Sequence, residues 1–342
     1  MRRLVALVAL LVLAGCGKVT EVRERDVRVA PSDAVVTRDA PQREARGLRI
    51  ANARIVFITH GQASDTFWTI VKRGLADAQR QTGTAVSYRA PDSFSLERMR
   101  GFIEEATVDK PDGMVVSLPD IDALAPSIRA AVRAGIPVVT INSGSDQYQR
   151  LGVLAHVGQP EFKAGFESGI RMGRAGVKRA LCVNQESGNH GLEERCRGFA
   201  AGLRRSGGTS RELPIPLQNP ATAQRRIASA ITDGPVDGIL TLGPGGVRPA
   251  MDAVRASGLD GRVTLATFDL SPDVLEDVRD GELLFAVDQQ PYLQGYLPVI
   301  LLAEQARHQI FPGRGELIPT GPQFVTEDNA AEVIRLSAEG VR

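Results

Sequence analysis

What most constrains this chain is a rhythm that begins at Arg54: short β-branched runs alternate with longer stretches of helical pattern. Ile55–Thr59 precedes a helical pattern over Thr66–Thr82, and Ala85–Tyr88 precedes one over Leu96–Val108. Gly113–Ser117 leads into Ala123–Ala134, and Pro137–Ile141 closes the first set. The second half repeats the scheme: Arg179–Asn184 with His190–Ser206, Glu212–Pro216 with Ala221–Thr232, and Gly238–Leu242 with Arg248–Ser257. Thr264–Phe268 with Pro272–Asp280 and Leu284–Val287 with Tyr292–His308 complete it. Breakers such as Lys110-Pro111-Asp112-Gly113 stand between the runs. Strands alternating with crossover helices build parallel sheets covered on both faces. Two such series in one chain predict two doubly wound α/β lobes.

Length agrees, because 342 residues suffice for two domains of about 100–200 residues each. The formal net charge is only +1, with no basic block, so the chain lacks the electrostatic footprint of a nucleic-acid binder. The N-terminus has its own character. Met1-Arg2-Arg3 precedes an apolar run from Leu4 to Ala14, followed by Gly15 and Cys16. Such a run is too short to span a bilayer and reads as a secretory signal peptide over 1–15. Leu13-Ala14-Gly15-Cys16 resembles a bacterial lipobox, which makes Cys16 the lipidated N-terminus of an exported protein. Residues 16–50, mixed in charge and without period, read as a flexible spacer. No later apolar stretch reaches the roughly 18 residues of a spanning helix, so the expected body is soluble and tethered.

Two cysteines remain. Cys182 lies in a strand-like run and Cys196 in the helical segment after it. Export permits a disulfide between them, and two separate buried thiols fit equally well. Neither has a histidine with an evident reason to lie beside it, so a catalytic thiol is not expected.

In open α/β sheets ligands bind outside the carboxyl ends of the strands. In the first half those positions are His60 to Asp65, Ser117 to Asp120 and Asn142 to Gly144; in the second they are Gln185 to His190, Gly243 to Gly246, Asp269, Gln289 and Gln290. The set is polar and mostly uncharged, with Phe67, Trp68, Phe268 and Tyr292 beside it. Amides and a carboxylate next to flat aromatic faces suit a neutral polyhydroxylated ligand. Gly243-Pro244-Gly245-Gly246 lacks the Lys-Ser/Thr of a phosphate loop. The four histidines show no metal-ligand spacing.

Several blocks, in order, carry a family resemblance. Thr59 to Trp68 with Gly74 looks like a first strand followed by an Asn-Pro-Phe-Phe loop, with Asp65 for the Asn and Phe67-Trp68 for the aromatic pair. Gly135 to Asn142 matches a stretch that normally ends in a ligand-binding Asp. Arg195-Cys196-Arg197-Gly198-Phe199 resembles an Arg-x-x-Gly-Phe helix, Thr267-Phe268-Asp269 a Phe-Asp ligand pair, and Asp288 to Tyr292 with Gly295 a hinge crossing that supplies a Gln. In these blocks the chain resembles the ribose-type periplasmic sugar-binding proteins, receptors of bacterial ABC importers, from about Arg54 to Asn329. It departs from them at Asn142 for Asp, Ser143 for Arg, Ser117 for Asn and Gly243-Pro244 for Asn-Asp. Four polar side chains are thus shortened or neutralised, and the ligand need not be ribose.

The resemblance implies a type I periplasmic binding fold, α/β, in which two lobes are joined by three crossing segments near His156–Gln159, Ala286–Gln290 and Pro319–Phe324. Lobe 1 would take 51–157 plus 291–319, and lobe 2 158–290 plus 320–342. The implied function is capture of a sugar or polyol by a membrane-anchored lipoprotein and delivery to an ABC permease. Sensing of a sugar or autoinducer-2-like signal for a chemoreceptor or kinase is the alternative. The expected ligand contacts are His60, Asp65, Phe67, Trp68, Ser117, Asn142, Asn189, His190, Arg195, Phe268, Asp269 and Gln289. No enzyme activity, cofactor, metal or nucleic acid is expected, and the state is a monomer.

Overall fold

The computed structural model describes residues 53–61, 66–216, 218–337 and 339–342. The expected lipidation at Cys16 and ligand contact at Asp65 lie outside the described residues. The chain runs β1 (Arg54–Ile58), α1 (Thr66–Thr82), β2 (Ala85–Arg89), α2 (Leu96–Asp109), β3 (Gly113–Ser117), α3 (Ile121–Arg133), β4 (Val138–Ile141) and β5 (Ala155–Gly158). It continues with α4 (Glu161–Arg174), β6 (Arg179–Asn184), α5 (His190–Arg204), β7 (Thr209–Pro214), α6 (Pro220–Thr232), β8 (Gly238–Thr241), α7 (Val247–Ala256), β9 (Thr264–Phe268), α8 (Pro272–Arg279) and β10 (Ala286–Asp288). Then come α9 (Pro291–His308), β11 (Glu316–Pro319), β12 (Gln323–Val325) and α10 (Glu327–Ser337).

The strands form two six-stranded sheets, ordered β2-β1-β3-β4-β5-β11 and β7-β6-β8-β9-β10-β12. Every pairing is parallel except the antiparallel edge strand β12 on β10. Each sheet is covered on both faces because its strands carry apolar residues at both parities. In β1, Ile55 and Phe57 face α1 and α9, while Val56 and Ile58 face α2 and α3. In lobe 2, Cys182, Leu240 and Phe268 pack under α4 and α5, and Leu181, Val183 and Ile239 pack under α6, α7 and α8. Cys182 of β6 and Cys196 of α5 are joined by a disulfide, with Cα atoms 5.7 Å apart.

Three passages connect the lobes among the described residues. From β5 of sheet one, Gln159-Pro160 leads into α4, which packs on α5 of lobe 2; from β10 of sheet two, Gln289-Gln290 leads into α9, which packs on α1 of lobe 1. β11 and β12 flank the third, at 320–322.

α4 is absent from the sequence expectation, and its glycines explain why. Gly165, Gly169 and Gly173 weaken helix propensity, yet they recur every fourth residue and so line one face. A Cβ at Gly165 would stand 2.0 Å from the Arg195 carbonyl oxygen, and one at Gly169 2.3 Å from that of Phe199. Gly198 and Gly202 of α5 answer them, since a Cβ at either would meet the Phe162 or Phe166 carbonyl. Gly74 and Gly295 make the same close approach between α1 and α9. Backbone contact here replaces intrinsic propensity as the source of helix stability. Gly165→Ala should therefore destabilise lobe 2 by about 1–3 kcal/mol or more through overpacking. Gly101→Ala, in the open face of α2, should be neutral or slightly stabilising. Urea unfolding of the two variants reads the difference, and equal effects would remove the packing argument.

Candidate functional site

The carboxyl ends of both sheets face one cleft. The side chains lining it are His60, Phe67, Trp68, Asn142, Gln185, Glu186, Asn189, Leu192, Arg195, Leu242, Asp269 and Gln289, around about 320 Å³ including the mouth. The cavity proper is only about 40 Å³, far below the roughly 300–1,000 Å³ of small-molecule sites, because polar side chains of the two lobes bond one another across it. A larger groove of about 1350 Å³ lies between Arg255, Arg262 and Leu284. It sits at the amino end of β9, remote from the loops after the strands, and gathers side chains from lobe 2 alone.

Two equivalent bends aim the central polar groups. Asn142 follows β4 with φ 63° and Asp269 follows β9 with φ 64°. These are the fourth strands of their sheets, and Asn and Asp are the non-glycine types that best tolerate this left-handed region. His156 props the first bend: its Nε2 bonds the Asn142 carbonyl at 3.1 Å, its Nδ1 bonds Thr140 at 3.1 Å, and its ring stacks on Tyr148. The second bend is held by the Asp269 N–H donating to Val287 O at 2.8 Å.

The crossing segments link these bends. Gln289 Nε2 donates to Asp269 Oδ1 at 2.5 Å, and Asn142 Nδ2 donates to Gln289 Oε1 and Gln294 Oε1, both at 3.3 Å. Arg195, 2 % exposed, projects from α5 over the Phe268 ring at 4.7 Å. Its Nε and Nη2 donate to the Glu161 carboxylate at 2.6 and 3.1 Å, and Nη2 also reaches Gln289 at 3.4 Å. Gln159 Nε2 donates to Glu161 as well, at 2.9 Å. Burial opposes the Arg195 charge, but Glu161, Asp269 and Glu186 hold it protonated.

On the lobe 1 wall Trp68 meets His60 edge-on at 5.1 Å and Phe67 at 4.9 Å. The Ser117 hydroxyl fixes His60, accepting from its backbone N–H at 3.0 Å and bonding Nδ1 at 2.8 Å. Burial first, then the Arg195 charge, pulls the His60 pKa down to about 3, so its ring is neutral. Asn189 caps α5 by accepting from Gly191 N–H at 3.1 Å and also spans the cleft. Its Oδ1 accepts from Ser143 at 2.9 Å, and its Nδ2 bonds His60 at 3.3 Å and Glu186 at 2.7 Å. At the lip, His190 N–H donates to Pro119 O at 2.8 Å, and His190 Nε2 meets Asp146 at 3.1 Å. The Asp146 hydrogen bond raises the His190 pKa. These contacts tie the two lobes together over the cleft.

Of the residues singled out by sequence, His60, Phe67, Trp68, Asn142, Asn189, Arg195, Asp269 and Gln289 line the cleft. Ser117 stands behind His60, His190 sits at the lip, and Phe268 lies in the lobe 2 core beneath Arg195. Tyr292 is not beside the cleft. It stacks on Tyr296 and donates to Asp77 in the seam between α1 and α9, because the first turn of α9 rotates it outward. The expectation of a mostly uncharged lining also needs correction, since Glu161 and Glu186 join Asp269 around Arg195. Glu161 was hidden on the unread helix. Glu186 lies in the loop after β6 but carried no signal beyond its position there.

Two lobes with polar groups converging from both on one cleft define a solute-binding protein of the type I, two-lobed class. A family model described as a periplasmic binding protein domain matches residues 55–310. A carbohydrate transporter of Acidothermus cellulolyticus, solved in complex with myo-inositol, is 35 % identical with a TM-score of 0.79, covering 85 % of this chain and 100 % of that one. A periplasmic sugar-binding protein of an ABC sugar transporter from Legionella pneumophila is 25 % identical with a TM-score of 0.73, covering 79 % and 99 %. A xylose/arabinose-binding protein of Sulfolobus acidocaldarius is 25 % identical over 294 residues, 81 % of this chain and 71 % of the relative. The chain belongs to the periplasmic binding protein family, among the ribose-type sugar-binding proteins of ABC transporters. Its relatives are sugar-binding transport proteins and not enzymes, and the family works outside the cytoplasm. No helix among the described residues is long and apolar enough to cross a membrane.

Proposed function

We propose that this protein captures a sugar or polyol between its lobes and delivers it to an ABC permease, as a monomeric lipoprotein held to the membrane through Cys16. The observation that carries the reading is the ring of Asn142, Arg195, Asp269 and Gln289, drawn from both lobes and the crossing between them, beside the Phe67 and Trp68 rings. Amides and charged groups satisfy hydroxyls as donors and acceptors, while an aromatic face takes the apolar side of a ring. Lobes 51–157 plus 291–319 and 158–290 plus 320–342 act as the moving bodies. A ligand that touches both stabilises the closed form, and closure is a hinge motion at the crossings. The myo-inositol held by the Acidothermus relative and the pentoses named for the Sulfolobus one place cyclic polyols and aldopentoses first in a screen.

The test is a thermal-shift panel of sugars and polyols on the body from residue 51. A ligand at a hundred times its dissociation constant should stabilise by about 2.7 kcal/mol; a flat response to the whole panel would refute the reading. Asp269→Ala should then weaken the identified ligand roughly ten- to hundredfold, the worth of a hydrogen bond to a charged group. The half-buried position of Asp269 keeps the change out of the core, and the strain of alanine at φ 64°, about 1–2 kcal/mol, is read from the melting curve of the variant. Unchanged affinity would remove Asp269 from the site. Mass spectrometry of the membrane-extracted protein checks the anchor, which requires diacylglycerol on Cys16.

A further inference from the structure

The cleft is acidic, and one carboxylate in it lacks a close counter-cation among the described residues. Among the described residues, one guanidinium, Arg195, faces three carboxylates: Glu161, Glu186 and Asp269. Glu161 takes the guanidinium in a two-pronged pair at 2.6 and 3.1 Å. Asp269 accepts from Gln289 and feels the same Arg195 charge. Glu186 lines the cleft with its side chain 23 % exposed. It accepts a neutral amide N–H from Asn189 at 2.7 Å, and among the described residues the nearest group able to carry positive charge is His60, at 3.8 Å. That imidazole is buried against Arg195 and neutral, so it supplies no charge. Burial accordingly raises the Glu186 pKa despite the Asn189 bond and the more distant Arg195. A partly desolvated carboxylate of this kind gains most from a cation brought by the ligand.

We infer that the cleft is built to accept a cyclic polyol carrying one ammonium group, seated at Glu186, and to reject rings that carry a carboxylate or phosphate. This rests on the sugar-or-polyol reading of the same site and narrows it. An anionic ring would add a further negative charge where like charges already outnumber the one guanidinium, whereas an ammonium would take the place that His60 leaves uncharged.

Isothermal titration at pH 7 with two series tests it: myo-inositol against scyllo-inosamine, and glucose against glucosamine and glucuronate. In a series that binds, the amine should match or exceed its neutral parent, and glucuronate should bind more than tenfold more weakly than glucosamine. Glu186→Gln, which keeps the acceptor for Asn189 and removes the charge, should lower the ratio of amine to neutral affinity at least tenfold. An amine bound more than threefold more weakly than its parent, glucuronate bound as well as glucosamine, or a ratio unmoved in Glu186→Gln would each overturn the inference. The wild-type comparison decides even where the variant folds poorly. Neutral binding without amine binding strikes this inference alone, while failure of every compound strikes the sugar-or-polyol reading with it.

Discussion

Glu161→Ala should destabilise the protein by about 3–5 kcal/mol, the largest single loss expected from any polar substitution in the cleft region. Glu161 is 1 % exposed and Arg195 2 %, so removing the carboxylate strands a guanidinium in a place water barely reaches. Breaking a buried pair from one side costs this much because the remaining charge keeps its desolvation penalty and loses its compensation. Removing both partners should cost much less. Urea unfolding of Glu161→Ala, Arg195→Met and the double variant measures the cycle. The double variant is expected to recover at least half of the single loss, and strictly additive losses would show that the pair is not coupled. Ligand affinity should collapse in the double variant even though much of the stability is restored, separating the two roles of the guanidinium.

Acidification should drain stability through two histidines. His156 is buried, and burial pulls its pKa down to about 4 even though the Asn142 carbonyl and Asp146 pull the other way; His60 falls to about 3 for the reasons of burial and the Arg195 charge. The unfolded chain therefore binds these protons first as pH drops below the ordinary value of 6.5. The stability they allow is whole above that value and declines as pH falls toward the folded-state values. Each pH unit in that window removes about 1.4 kcal/mol per group, so roughly 2–3 kcal/mol per histidine is lost by pH 4.5. Urea midpoints at pH 7 and pH 4.5 read the loss. His156→Gln, which cannot titrate, should flatten about half of it; the raised pKa values of Glu186, Asp288 and His190 work the other way in both proteins, so a pH dependence identical in wild type and variant would contradict the assignment.

The strands that sequence located with their full bounds, Gly113–Ser117, Arg179–Asn184 and Thr264–Phe268, are central ones. Two covered faces force apolar residues on both sides through the middle of each strand, so the signal is strong. β7 is the opposite case: it starts at Thr209 although its reading began at Glu212, because an edge strand tolerates the polar Ser210-Arg211. β5, β11 and β12 were passed over as connections because no helix had been read after them: β5 leads into the glycine-rich α4, and β11 and β12 are joined by 320–322. α4 was invisible to propensity because its glycines make sense only against α5. The site divides the same way. Positions after strands follow from a general rule of open sheets, which is how Asn142, Asp269 and His60 were found. Gln289, after the last strand of the second series, was found by the same rule, and the hinge resemblance pointed to it as well. Glu161 and Gln294 stand on helices entered from the crossings, and their inward direction depends on how those helices pack, which no local pattern records.

The wiring of α4 and α9 has a consequence for how the molecule can arise and be cut. The two sheets have the same strand order, and in each the fifth strand is followed by a helix that leaves for the other lobe. Each half of the sequence thus lends its last helix to its counterpart, the reciprocal exchange seen in a domain-swapped dimer, here closed within one polypeptide. Neither half encodes a finished layer: residues 53–174 carry the cover for the disulfide-bearing sheet, and residues 179–308 carry the cover for the other. A chain nicked near Ala175-Gly176 would have to assemble as two complementary fragments, each incomplete alone. The lobes are obligate partners in folding even though they part company in function.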